Sequence, residues 1–318
     1  MLDRAAVTRR PAGALASATV DTDVATATGR LARGLEPLHA QVYFAAEAEP
    51  AYREAGLEEG RMTYFAPRAA PMGPVGPSVV TGTFYNFSPD LVARFIPRAW
   101  SLATADDLVA ARFAVADASL RRLLGDDAVD SPEMAEAARL ARTAAEAVQP
   151  EGRPLAAGHL DLGWPTSPHL VLWHALSILR EHRGDGHIAL LLEAGLSGLE
   201  ALLTATATGS GFTVAFAMAS RGWTPQQWNA GIDALAGRGL LEPAGGGDDA
   251  AEPALTEAGS ALRKRLEDAT DRLGAAPWTA LGTDGAARLG ELGGAFVRTA
   301  MANGAFPAEG VFASRSRG

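Results

Sequence analysis

The chain contains no cysteine, which excludes disulfides, thiolate nucleophiles, iron–sulfur clusters and cysteine-ligated zinc together. Any metal would have to bind histidine and carboxylate. Lysine is nearly absent too: Lys264 stands alone among 28 basic side chains, which 37 acidic ones outnumber, for a formal charge of −9. That balance argues against a surface given over wholly to a polyanion, although a local basic patch could survive it. No stretch reaches about 18 uninterrupted apolar residues, so no membrane-spanning helix is expected. The sequence also lacks Gly-x-Gly-x-x-Gly, a Walker lysine motif, Gly-x-Ser-x-Gly, Ser-x-x-Lys and His-Glu-x-x-His. Nicotinamide, nucleotide-hydrolysis and serine-hydrolase chemistry therefore have no motif to rest on, and no cofactor is identified.

The residues that are present are ample for a folded protein. The 318 residues are 47% hydrophobic and 20% charged, enough for a real core and for two domains. Arg4, Arg9 and Arg10 sit among Ala, Thr and Ser without the apolar core of a secretory signal, so a cytoplasmic location is the default expectation. Residues 1–23 read as a flexible arm.

From Val24 onward helical signals dominate. Ser88-Pro89-Asp90 and Ser131-Pro132-Glu133 each supply a capping hydroxyl, a proline at the first helical position and an early acid, predicting helices at 89–97 and 131–147. A third runs from Ala105 to Leu124 and stops at Gly125. Phe65–Pro77 carries four prolines in thirteen residues and reads as a rigid connector. A second punctuated stretch, Gln149–Pro168, separates a helical domain at 24–150 from the C-terminal half of the chain. Helices are then expected at 169–182, 186–203, 211–220 and 225–238, succeeded by Gly239–Pro243, a Gly/Asp loop and Leu255-Thr256-Glu257-Ala258-Gly259. Helix, short strand, loop, short strand and long helix is the order of a winged helix, placed at 160–275, with a C-terminal helix and tail at 276–318. The expected fold is mostly α: an N-terminal helical domain packed on a winged helix-turn-helix domain with a short β-hairpin wing.

The block Trp223–Trp228, Gly237–Leu240 and Leu255–Gly259 resembles the winged-helix domain of MarR-type proteins. The wider pattern resembles an actinobacterial family that carries a helix-turn-helix label. Its residues are Glu36–His39, Tyr64–Pro71, Thr83-Phe84-Tyr85-Asn86-Phe87 and Arg180–His187. That label describes a fold and implies no activity.

If the winged helix reads DNA, its second helix would present Gln226, Gln227 and Asn229 to base edges, with Arg238 behind them. The helix has no cation before Arg238 and carries Asp233, while Asp248, Asp249 and Glu252 at the wing would face phosphates unfavourably. DNA is thus a possible but disfavoured partner, and a packing or dimerisation scaffold is the bland alternative.

Five of the six histidines, His159, His169, His174, His182 and His187, fall within 29 residues. None makes the i, i+4 pair of a helical zinc site, so a histidine-ligated metal would need a distant partner such as Asp161 or Glu193, and no metal site is assigned. The tighter constellation is Arg180–His187, where Gly184 and Gly186 suggest a corner and Asp185 the cap of a new helix. This points to a small, aromatic or carboxylated metabolite in an interdomain pocket. Arg180 and Arg183 would supply charge, and Tyr64, Tyr85 and Asn86 the polar contacts. Asp185 would orient His187, and His187 or His182 would act as acid or base if the protein is an enzyme. The bland readings are a simple cap, solvated charges and structural hydrogen-bond plugs at Tyr85 and Asn86. Two other functions fit the same sequence: a MarR-like ligand-responsive regulator acting as a homodimer, and a passive metabolite-binding or resistance protein.

Overall fold

The computed structural model describes residues 20–245 and 249–313. The N-terminal arm over 1–19, and Asp248 of the expected wing tip, lie outside the described residues. In chain order the helices are α1 (Thr22–Ala40), α2 (Ala48–Glu54), α3 (Met62–Ala69), α4 (Pro77–Phe84), α5 (Pro89–Phe95), α6 (Ala99–Leu102), α7 (Ala105–Leu124) and α8 (Asp126–Val129). They continue with α9 (Pro132–Ala145), α10 (Pro154–Leu160), α11 (Pro168–Glu193), α12 (Gly198–Thr206), α13 (Val214–Arg221), α14 (Pro225–Gly237), α15 (Glu257–Thr279) and α16 (Gly282–Ala302). Short 3₁₀ turns occupy Gln41–Tyr43 and Ala70–Met72. The protein is mostly α. Among the described residues no single helix is long and apolar enough to cross a membrane.

Most local starts follow the sequence, although at α5 Ser88 takes the N-cap position without its hydroxyl making a capping bond. Ser131 caps α9 through Met134 N–H, Thr104 caps α7 through Asp107 N–H, and the Ser197/Glu200 and Thr224/Gln227 capping boxes open α12 and α14. The proline-rich connector is more regular than expected: α3 runs through Pro67, and Pro77 opens α4 as its first residue.

The expected corner at Gly184-Asp185-Gly186 does not exist. α11 is one continuous helix of 26 residues from Pro168 to Glu193, and the break falls later, at Gly195, whose φ is 64°. Gly186 serves packing instead: a Cβ there would collide with the Arg153 guanidinium, which crosses the helix at that point and donates to the His182 carbonyl. A mid-helix glycine costs roughly 1 kcal/mol against alanine, and the charge-assisted hydrogen bond that it permits offsets this.

The chain divides into two compact units. The larger comprises residues up to Val75, Ala99–Gly186 and Thr270–Phe306. Within it α16 packs on α1, α7 and α9, while α7 also packs on α2 and α3. The first half of α11 is buried on nearly every side, from Val171 and Leu172 through Trp173, Leu176, Ile178 and Leu179. The smaller unit comprises Gly76–Arg98, His187–Ala269 and Pro307 onward. Its core joins Leu191, Leu203, Trp228, Ile232, Leu235 and Leu266. There α12 packs on α13 and α14, and left-handed Gly222 (φ 76°) turns the chain from α13 into α14.

No β-hairpin wing forms among the described residues. The segments after α14 meet only at an isolated bridge between Leu241 and Leu255, with backbone bonds from Glu242 N to Ala254 O and from Thr256 N to Leu240 O. Pro243 and Pro253, which have no N–H to give, flank the bridge and stop the ladder from extending.

Candidate functional site

The unusual feature of α11 is a polar stripe on a helix that is otherwise core. His174, Ser177, Glu181 and Asp185 recur at intervals of three and four residues, hence on one face, and all four are buried. Three of them have clear partners. Ser177 Oγ donates to the Trp173 carbonyl at 2.8 Å. Glu181, 2% exposed, accepts from Arg68 at 3.2 Å and from Arg180 at 2.7 Å. Burial alone would raise the Glu181 carboxyl, but Arg180 and Arg68 hold it well below the usual carboxylate range. Asp185 Oδ2 accepts from Leu155 N–H at 3.1 Å and Ala156 N–H at 3.0 Å, at the start of α10. Burial nonetheless pushes Asp185 up to about 6.

A hydrogen-bonded relay crosses from α7 to this stripe. Arg112 Nη2 donates to the Tyr43 hydroxyl at 3.0 Å, Tyr43 lies 3.2 Å from His39 Nε2, and His39 Nδ1 lies 2.9 Å from Ser177 Oγ. Because Ser177 donates onward to a carbonyl, it must accept from His39, so Nδ1 carries the proton and Nε2 accepts from Tyr43. The Arg112 guanidinium also faces the Tyr43 and Trp173 rings at 5.4 and 5.5 Å. It is 3% exposed, and among the described residues its remaining bond is a 3.4 Å contact to the Pro67 carbonyl.

Beside this relay the accounting fails to close. His159 and His174 are buried with neither ring nitrogen bonded, Gln41 is buried with both amide atoms unbonded, and Arg112 Nε is also without an acceptor. Aromatic rings pack around the two imidazoles. His174 lies 6.1 Å from His159, 5.4 Å from Phe113 and 5.0 Å from Trp164, and Phe113 lies 5.3 Å from Trp173. The half-buried Trp164 is covered by the Arg142 guanidinium at 4.6 Å. Burial, then Arg112 and Arg142, push His174 down to about 3, and burial and Arg112 hold His159 well below the ordinary range. Both rings are therefore neutral near pH 7, each with one donor and one acceptor. Orphaned buried polar atoms are rare in native proteins and cost about 1–3 kcal/mol each. Such a concentration makes this cluster the candidate site.

Among the described residues no group of three or more histidine and carboxylate side chains could hold a metal ion. The His159–His174 pair also shares its surroundings with the Arg112 cation, which acts on both rings.

The residues singled out in the sequence fall into separate places. Arg180 pairs with Glu181 and Glu36, Arg183 with Asp271 at 2.8 Å, and Tyr64 accepts from Arg68 at 3.3 Å, all in the larger unit. His182 is buried and pushed down to about 3 by burial and Arg153. The Asp185 carboxylate caps the start of α10. His187 lies half-buried further along α11, in the smaller unit. There the Tyr85 hydroxyl donates to the Leu196 carbonyl, and the Asn86 carbonyl accepts from Trp223 Nε1 at 3.0 Å.

The side chains expected to read DNA are mostly bonded within the smaller unit as well. Gln227 closes the α14 capping box. Asn229 clasps Asp249 O at 2.8 Å and Ala251 N at 2.9 Å, and Asp233 accepts from Ala244 N. Arg238 donates to Gly195 O, Ala194 O and Glu200. Gln226 is exposed. Sequence reasoning missed Arg112 and Gln41, together with the pairing of His159 with His174. Their signal was available only as charged and amide residues inside otherwise apolar stretches.

The model of a helix-turn-helix family matches residues 28–307, so the chain belongs to that family. No curated protein and no solved structure matches it.

Proposed function

Taking membership of the helix-turn-helix family as the premise, we propose that this protein binds a small organic molecule inside its larger unit, at Gln41, Arg112, His159 and His174. The reading rests on one observation: the four ring nitrogens of His159 and His174 are buried without partners, with Phe113 and Trp164 against the His174 ring, and both Gln41 amide atoms are likewise buried and unbonded. A few polar groups among aromatic walls are the usual makings of a small-molecule site. Binding is favoured over acid/base catalysis, because imidazoles pushed down to about 3 are weak bases near neutrality. Native mass spectrometry of the intact protein tests this. A bound organic mass that is lost in the His174→Ala variant, with the fold retained, supports the reading. A folded wild type that carries nothing, and gains nothing from a cell extract, rejects it.

The second reading is a MarR-like ligand-responsive regulator. It draws on the family and on the α13–turn–α14 geometry. The internal engagement of Gln227, Asn229 and Arg238 weighs against base reading. Promoter-fragment binding that falls steeply with salt, and that Gln226→Ala weakens, would favour the regulator.

A further inference from the structure

The C-terminal tail belongs to the smaller unit and is bonded where the helix-turn-helix pair begins. Residues 211–213 lead into α13 and run antiparallel to residues 311–313, at a bridge between Phe212 and Phe312. Thr213 N–H donates to the Val311 carbonyl at 3.0 Å, and Ala313 N–H donates to the Gly211 carbonyl at 2.9 Å. The Thr213 hydroxyl caps α13 by accepting from Phe216 N–H at 3.2 Å, and it gives its own proton to the Gly310 carbonyl at 3.2 Å. Both donors of the capping residue therefore end on the tail.

Aromatic contacts carry this hold along the helix. The Phe312 ring stacks on Phe212 at 5.5 Å with 23° between the planes, and Phe212 packs on Phe216 at 5.1 Å. The guanidinium of Arg221, the last residue of α13, lies 4.6 Å from the centre of the same Phe212 ring and 4.9 Å from that of Phe87. Gly222 follows and makes the turn into α14. One ring at the start of α13 thus meets both the tail and the residue before the turn. The tail itself buries little: residues 307–310 are exposed, Phe312 is 42% exposed, and Val311 and Ala313 are half-buried. Directional bonds rather than burial hold it against the entropy of ordering a chain end, which is the setting for local release without global unfolding.

We propose that residues 307–313 form a detachable strap. Docked, it fixes the start of α13 and its cap; released, it loosens the first helix of the helix-turn-helix pair while the core of the smaller unit stays folded. This is independent of the ligand-binding reading.

Hydrogen exchange on the full chain tests it, with cysteines in place of the bridged rings. Phe212 and Phe312 form a non-hydrogen-bonded antiparallel pair, whose Cα atoms lie about 4.5 Å apart in such ladders, within disulfide reach. The chain has no cysteine of its own to compete. In the Phe212→Cys/Phe312→Cys variant the oxidised form locks the strap, and the reduced form leaves it free to detach. Oxidation is expected to slow exchange in the first turns of α13, at Phe216 and Ala217, by at least about tenfold relative to exchange in α12, the effect of one hydrogen bond. Phe312→Ala/Ala313→Pro removes the ring and one donor, and should speed exchange in α13 about tenfold over wild type with α12 unchanged. Either variant pair carries the test if the other fails to fold. The same α13-to-α12 ratio in the oxidised and reduced forms overturns the proposal, and so does a loss of protection shared equally by α12 and α13. A disulfide that forms between chains, seen by non-reducing electrophoresis, overturns the strap as a contact within one chain.

Discussion

The helices α11 and α14 both carry more polar residues than their packing calls for, and they use them in opposite ways. On α14 and its C-cap, Gln227, Asn229, Asp233 and Arg238 bond to the backbone or side chains of their own unit, at or near the surface. On α11 and the elements around it, the polar groups are buried, and several have no partner. An exposed polar group left unbonded costs little because water completes it, whereas a buried one costs its full desolvation. The helix expected to read nucleic acid thus bonds most of its polar side chains within its own unit, whereas around the core helix several buried polar atoms have no partner. Function is better sought where bonding capacity is kept at a cost than where the fold's label points.

The comparison breaks most visibly at Glu181. Replacing it with alanine leaves Arg68 and Arg180 without their shared buried carboxylate and should destabilise the protein by about 3–5 kcal/mol, read from urea midpoints.

Acid comes next. His174 and His182 are held down to about 3, from an ordinary 6.5, so in the fold both stay neutral while the unfolded chain takes up protons below pH 6.5. Their contribution is complete above 6.5 and is lost as pH falls toward 3. Between pH 7 and pH 5 each should cost about 2 kcal/mol. Asp185 acts in the opposite sense: raised to about 6, it keeps a proton that the unfolded chain has released above 3.8, and it returns roughly 1 kcal/mol over the same interval. These three groups alone should make unfolding at the two pH values differ by about 3 kcal/mol, His159 and His39 act in the same sense as His174, and His174→Gln should flatten the slope. Equal stability at both would remove the case for neutral buried imidazoles.

Gly186→Ala forces a methyl into the Arg153 guanidinium and should cost about 1–3 kcal/mol, despite alanine's better helix propensity. A stabilised variant would mean that Arg153 does not cross the helix there. The smallest effect is expected in α14: Gln227→Ala loses one half of the capping box, about 1 kcal/mol or less, and should leave any ligand binding in the larger unit unchanged. If it alters ligand affinity instead, the contrast between the two helices fails.

Much of the local structure was legible in the residues alone. Ser131-Pro132, Thr104 and Thr224-Pro225 announce their helices because capping chemistry lies within four residues of sequence. The same local logic misread Gly184-Asp185-Gly186. Two glycines and an acid look like a helix end, but α11 is buried, and the nearby Arg153 fills the space that Gly186 leaves open. The wing was expected from element order, and Pro243 and Pro253, visible in the sequence, limit it to a single bridge.

By itself, then, the sequence determined the helical class, the family, the capped helix starts and the exclusion of thiol chemistry. These depend on composition and on contacts a few residues apart. Tertiary structure alone decided which polar residues were buried and which of those were left unpaired. Arg112, Gln41, His159 and His174 lie on four separate elements, and whether a guanidinium meets a carboxylate or only a tyrosine depends on how those elements pack. That separation in sequence is why the best-supported site was the one least visible in it.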